Sequence, residues 1–313
     1  MQQPDLKLTK SLSMKYRIFL SLLAFSLLLC CFMQDKSLKN ILQDDARLEK
    51  LADGFQFTEG PTADPEGNVF FTDQPNDRIM VWRSSGLLET YLQPSGRSNG
   101  LSFDNKGNLW ACADEKNEFW MIGKEKNISR FPHKYNDRLL NGPNDLWIDS
   151  NGGIYFTDPF YKRPWWEHSS MPQELQGVYY ISPDMKTVTR IIDDLKQPNG
   201  IVGTPDGKTL YVADIGANKT YRFSVRKDGT VQNKQLFCEL GSDGMTVDSK
   251  GNIYLTGKGV TVFDINGKEI GNIPVPEGWT ANVCFGDKDF KSLFITASKS
   301  LYKIRLKVKG TRG

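Results

Sequence analysis

A short apolar run returns six times along the 313 residues, each time just after a turn. The copies are Gly67–Asp73, Gly107–Asp114, Gly153–Asp158, Leu210–Asp214, Gly251–Thr256 and Leu293–Ala297. Each is rich in β-branched and aromatic residues and is bounded by turn formers, which is the pattern of a strand. The glycines at 67, 107, 152, 207 and 251 set a period of about 40 to 55 residues. Further strand-like segments follow within each unit, such as Ile79–Trp82 and Leu87–Leu92 in the first and Gly177–Ile181 and Val188–Ile192 in the third. A repeat of that length with several short strands per unit predicts propeller blades, because a solenoid uses shorter units and a sandwich does not repeat itself. The expected fold is therefore all-β: a six-bladed β-propeller with four-stranded antiparallel blades around a central metal-binding channel. Residues 38–51 carry some helical periodicity. Alternatively Arg47–Ala52 is a strand that joins the last blade and leaves no open edge.

A polar residue stands at a fixed phase before five of the glycines. Eight residues ahead of each come Glu59, Asn99, Asn144, Asn199 and Asp243. Their contexts match: Glu59-Gly60-Pro61, Asn99-Gly100-Leu101, Asn144-Asp145-Leu146, Asn199-Gly200-Ile201 and Asp243-Gly244-Met245. In the sixth unit either Ala281 or Asn282 is equivalent. This position opens the first strand of a blade, and first strands line the channel of a propeller. Side chains related by the repeat then converge on the axis. Two carboxylates with amide oxygens, and neither thiolate nor imidazole, form a hard-oxygen shell suited to Ca²⁺, with Mg²⁺ or Mn²⁺ as alternatives. Asn-Gly and Asp-Gly also favour turns for backbone reasons alone. Glu59 is a poor turn residue, however, and no glycine follows Asn144.

Composition narrows the function classes. The formal net charge is +3 with scattered Lys and Arg, so no basic stripe for nucleic acid is present. The N-terminus places Lys7, Lys10, Lys15 and Arg17 before an apolar run from Ile18 to Met33, the build of a secretory signal. Cys30 and Cys31 close that run and allow a lipoprotein signal. The expected organisation is a signal peptide, lipoprotein signal or N-terminal anchor over 1–33, a linker over 34–44, a propeller over 45–308 and a tail over 309–313. The expected location is exported: periplasmic, secreted or lipid-anchored. Membrane contact is expected only through that signal or anchor, and nothing in the sequence specifies an oligomeric state. Beyond the signal, Cys112, Cys238 and Cys284 are sparse and unpaired in spacing, which favours neither a disulfide scaffold nor a zinc site.

Two rival features weigh little. Gly96-Arg97-Ser98-Asn99-Gly100 fits G-x-S-x-G, but a nucleophile elbow needs a helix after the serine, and 101–113 reads as strand. The only histidines, His133 and His168, are too few for a zinc site or histidine-driven catalysis. The third unit carries a long insertion, Pro159–Gln176, with Tyr161, Arg163, Trp165, Trp166 and His168. In an antiparallel meander it overhangs the same end of the axis as the polar ring. It is expected to be a lid or substrate wall, since two adjacent Trp need a partner.

Thr58-Glu59-Gly60-Pro61, Pro143-Asn144-Asp145, Pro198-Asn199-Gly200, Ser242-Asp243-Gly244-Met245 and the late Cys284-Phe285-Gly286 resemble the SMP-30/gluconolactonase family of regucalcin-like sugar lactonases. The resemblance spans residues 45–308. It implies a lactone-hydrolysing enzyme with a divalent metal, Ca²⁺ first, with Mg²⁺, Mn²⁺ or Zn²⁺ as alternatives. It implies Glu59, Asn144, Asn199 and Asp243 as metal ligands and Asp243 also as acid/base. Asn144 contacts substrate or metal in this reading. Asn99, Asn141, Asn144, Trp165, Trp166 and His168 are the candidate substrate contacts, and the expected partner is a small-molecule lactone. The sequence departs from the animal members, which often carry Arg two residues before the Asn144 position. Here Gly142 stands there, and Arg138 or Arg97 are candidate substitutes. The competing readings are a non-catalytic, calcium-stabilised propeller that binds glycan or protein, and a paraoxonase-like esterase.

Overall fold

The structure is a computed structural model and describes residues 38–131 and 134–311. The expected signal over 1–33 lies outside the described residues. Six four-stranded antiparallel sheets follow one another, one per repeat. The inner strands are Thr58–Ala63, Ser98–Phe103, Leu146–Ile148, Pro198–Gly203, Met245–Val247 and Thr280–Gly286. Each inner strand contacts the inner strands of both neighbouring blades, so the six form a ring. The repeated apolar runs are the second strands. Val69–Asp73, Leu109–Ala113 and Ile154–Asp158 are buried along their whole length. Blades cover them on both faces, which is why they read as continuous apolar runs rather than alternating ones.

Aromatic pairs join blade to blade. Phe70 meets Phe103 edge-on with ring centroids 5.1 Å apart, Phe119 meets Phe156 at 4.5 Å, and Tyr254 meets Phe285 at 5.4 Å. Such edge-to-face contacts add to the burial of each ring. Between the third and fourth blades Trp147 packs directly over Gly203, where any Cβ would collide with the indole.

Of the two readings for the segment before the first blade, the strand is the one found. Glu49–Ala52 pairs antiparallel with Ser300–Arg305, the third strand of the last blade. Helix is confined to one 3-10 turn, Leu38–Asn40. The segment expected as a linker is docked in its described part: Leu38 and Ile41 are buried with Val283 and Ile304, and Leu42 bridges Leu306. The expected tail also docks, for Gly310 bridges Asp248 and Thr311 donates its N–H to Val247. Hydrophobic burial explains the first, since Leu38 and Ile41 would otherwise stay in water; backbone pairing holds the second.

The closing strand leads to a prediction. Removing residues 1–52 leaves Ser300–Arg305 as an exposed edge. The melting temperature should fall by about 5 °C or more, and light scattering should show more self-association than the full chain does.

Candidate functional site

The polar ring is formed where the inner strands begin. In the first, third and fourth blades the same device sets that starting point. The last residue of the second strand is an Asp, and its carboxylate accepts two backbone N–H groups just ahead of the ring residue. Asp73 takes those of Gln56 and Phe57, Asp158 those of Asn141 and Gly142, and Asp214 those of Lys196 and Gln197. These donors stand three and two residues before Glu59, Asn144 and Asn199. The buried carboxylate fixes the chain path and so the direction of each ring side chain. Burial pushes Asp158 up to about 7, against the pull of its two N–H donors.

Glu59, Asn99, Asn144 and Asp243 come together around one cavity of 240 Å³ at this end of the axis. Asn199 stands directly behind: its amide donates to Asp243 Oδ1 at 2.8 Å and to the Tyr161 hydroxyl at 2.9 Å. Its own Oδ1 is buried without a partner. Glu59 Oε2 accepts the N–H of Gly60 at 2.9 Å. Burial, and next the charge of Asp243, hold Glu59 well above the usual carboxylate range. Burial likewise raises Asp243, against hydrogen bonds from Trp279 and Asn199. Two acidic side chains thus share one pocket, Glu59 buried and Asp243 half-buried. No cluster of three His, Cys, Asp or Glu forms among the described residues, so a cation here would rely on this pair and on amide oxygens.

The sixth blade settles the register left open. Thr72 donates its hydroxyl to the Asn99 carbonyl, and Thr256 donates to the Ala281 carbonyl in the same way. Ala281 is therefore the ring member, and Asn282 belongs to a deeper layer with Asp145. In that layer Asn282 donates to Asp145 Oδ2 at 3.4 Å, and each of the two accepts the N–H of its own successor. The remaining members are Gly60, Gly100, Gly200 and Gly244. A Cβ on Gly244 would run into the Asn282 amide, so the axis has no room for more side chains there. Burial raises Asp145 to about 7. Beyond this layer a separate cavity of 350 Å³, lined by the far ends of the inner strands, opens at the other end of the axis.

The insertion covers the ring, but through residues other than those expected. Tyr161 and Arg163 line the cavity, whereas Trp165, Trp166, His168 and Asn141 do not. Trp166 is a wedge: its indole N–H donates to the Asp114 carbonyl at 2.7 Å, and His168 stacks on it at 4.7 Å. Trp165 lies between Arg97 and Arg163. Asn141 spends its amide on the carbonyls of Asp158 and Leu175, and its oxygen accepts the Gln173 N–H. All its capacity is used in holding the insertion. The Gly142 position is explained as well. It has φ +151, and a Cβ would lie 2.7 Å from the Trp166 ring and 2.9 Å from Asp114 Oδ1. Neither proposed substitute cation lines the cavity. Arg97 donates to the Pro75 carbonyl, and Arg138 is exposed on the Lys134–Leu139 hairpin. Ser98 opens a strand and donates to the Ser95 carbonyl at 2.6 Å, so the G-x-S-x-G match is not a nucleophile elbow.

Trp279 was not foreseen. Its indole N–H donates to Asp243 Oδ2 at 2.5 Å, and the ring forms part of the cavity wall with Phe57 and Ile215. Trp279 lies two residues before Ala281, and Phe57 two before Glu59, so the repeat phase held the signal.

A six-bladed propeller with an oxygen-lined axial pocket is the class defined by these features. The model of the SMP-30/Gluconolactonase/LRE-like region matches residues 57–299. The chain belongs to that family. A gluconolactonase of Zymomonas mobilis is 27% identical over 301 residues, covering 86% of this chain and 84% of that protein. Lactonase drp35 of Staphylococcus aureus is 38% identical over 270 residues, covering 66% and 81%. The solved structure of a gluconolactonase from Xanthomonas campestris superposes with a TM-score of 0.81 at 30% identity, covering 87% of this chain and 93% of that one.

The buried acids predict a pH dependence of stability in the metal-free protein. Asp114 is raised to about 6, and Asp145 and Asp158 to about 7. For a carboxyl whose folded value lies above its unfolded one, the folded state binds the proton more tightly, and stability is lost as pH rises through the folded value. With chelator present the melting temperature should therefore fall between pH 5 and about 8, as differential scanning calorimetry would read.

Proposed function

We propose that this protein hydrolyses a sugar lactone, with a divalent cation held on the axis by Glu59, Asn144, Asn199 and Asp243. The observation that carries this reading is the pairing of Glu59 and Asp243 in one buried pocket beside an unpartnered amide oxygen, Asn199 Oδ1. Burying two like charges without compensation is costly, and the donor set is all oxygen, which suits Ca²⁺. The family and the names of the relatives support a lactone as substrate. No observation favours the binding-platform or aryl-esterase readings.

When bound, such a cation would polarise the lactone carbonyl and stabilise the negative charge that develops on it. The chain's own groups do the rest. Asp243 is the acid/base: its raised proton affinity brings it toward neutral operating pH, where a base both ionises and accepts a proton efficiently. Its carboxylate lines the cavity with Oδ2 anchored by the Trp279 N–H, and there it takes the proton of the attacking water and returns one to the leaving alkoxide. Asn199 fixes the other oxygen, so the carboxylate cannot rotate. Phe57, Ile215 and Trp279 offer apolar surface to the substrate ring and limit water. The basic and then apolar N-terminus leads us to place this activity outside the cytoplasm.

Glucono-δ-lactone hydrolysis followed by proton release should be fast with Ca²⁺ and fall to background with EDTA. Asp243→Asn should lose about 10²- to 10⁴-fold in kcat while remaining folded by circular dichroism. Activity on no lactone of a panel, with metal present, would refute the reading. Ca²⁺ should also raise the melting temperature of the wild type, and much less that of Glu59→Gln.

A further inference from the structure

The geometry points to Arg163 as the residue that selects polyhydroxylated substrates, by offering its two terminal amino groups to a pair of neighbouring hydroxyls. This rests on the lactone reading above and concerns the same cavity. Among the described residues Arg163 is the only cationic side chain lining it. Its Nε donates to Asp114 Oδ2 at 2.8 Å, while its terminal nitrogens have no hydrogen-bond partner among the described residues and the side chain lines the cavity. The guanidinium is held on two further sides, 5.5 Å from the Tyr161 ring centroid and 5.7 Å from that of Trp165. A planar fork, already fixed at its base, matches two oxygens at once in a way an ammonium cannot.

The place of Asp114 in the blade pattern strengthens the case. Asp73, Asp158 and Asp214 end their second strands and brace the backbone ahead of a ring residue, but the second blade has Ala113 at that position, and Asp77 accepts the Arg97 N–H at 2.7 Å instead. Asp114 stands one residue further on, where the first and fourth blades place the cavity residues Gln74 and Ile215. There it holds Arg163, and it also accepts from Gln74 at 3.0 Å. Position 142, two residues before the cavity residue Asn144, has no side chain, and Trp166 fills the space over it. The recognition group at this side of the pocket therefore comes from the insertion, not from the blade beneath. Across the cavity Trp279 and Phe57 supply flat apolar surface, the complement expected for a ring with hydroxyls on one side.

The experiment compares glucono-δ-lactone with δ-valerolactone, which has no hydroxyls, in the full-length, metal-loaded protein. Turnover is measured for both, or competitive inhibition by δ-valerolactone where it is not turned over. Arg163→Gln should reduce the preference for the hydroxylated lactone by about 10- to 100-fold, the effect of losing hydrogen bonds from a charged donor. The loss should fall mainly on KM. Arg163→Lys keeps the charge beside Asp114 and guards against misfolding; it should lose several-fold of the same preference because the fork is gone. A preference unchanged in both folded variants, or an equal loss for both lactones, overturns the inference and leaves the lactonase reading intact. A wild type that hydrolyses neither lactone overturns the lactonase reading instead.

Discussion

Six strands that begin on one axis have room for few side chains, and that crowding decides most of this molecule. At the deeper level glycine is forced on four blades, and the two blades without it, the third and the sixth, give their space to Asp145 and Asn282, which bond each other. One level higher the ring is wider and admits Glu59, Asn99, Asn144, Asn199 and Asp243. The polar pocket is thus the first level at which the fold can accommodate side chains around the axis. A carboxylate placed there is held by rigid strands, not loops, which is what a catalytic group needs.

The aspartates at the ends of the second strands connect this crowding to the sequence repeat. Each one that accepts two backbone N–H groups fixes where the inner strand of its own blade starts. The endings Thr72-Asp73, Thr157-Asp158 and Ala213-Asp214 are therefore structural, whereas the ring residues eight positions ahead of the glycines are the ones proposed to bind cation and substrate. Both kinds are polar, buried and periodic. Their partners tell them apart: each brace accepts two backbone N–H groups, while Glu59 and Asp243 line the pocket and Asn199 Oδ1, just behind it, has no partner among the described residues.

Periodicity explains what the sequence disclosed and what it hid. The blades, the closing strand and the ring were legible because each recurs or completes something that recurs. Trp279 and Phe57 share a phase as well, but one residue type is not repeated there, so no pattern drew the eye. Tyr161 and Arg163 sit in an insertion that has no counterpart in other blades, and no spacing rule orients a side chain in such a segment. The pair of Trp in that insertion drew attention through size alone. In the structure Trp166 meets its need for burial against Gly142 and His168, away from the pocket. Docking of Leu38 and Ile41 was equally hidden, since their partners Val283 and Ile304 lie far along the chain.

The insertion acts as a fixed wall, and its anchors show why. At its base the Phe160 N–H bonds Gln176 Oε1, and the Gln176 amide bonds the Lys196 carbonyl. Asn141 ties Asp158 to Leu175, and the Gln173 amide reaches the carbonyls of Arg138 and Leu139. Arg163 and Trp166 fasten the middle to Asp114, and Tyr161 fastens it to Asn199. A hinged lid would need a span free of such bonds, and here both ends and the centre are held. The ordering of Tyr161 and Arg163 is then a cost met when the chain folds, so a substrate does not bear it on binding. The same bonds tie the wall to Asp243 through Asn199, so the proposed substrate contact and the proposed acid/base belong to one network. Proximity of that kind lowers the barrier only while the geometry holds to a fraction of an ångström, and a wall anchored at both ends and the middle is a physical means of keeping it.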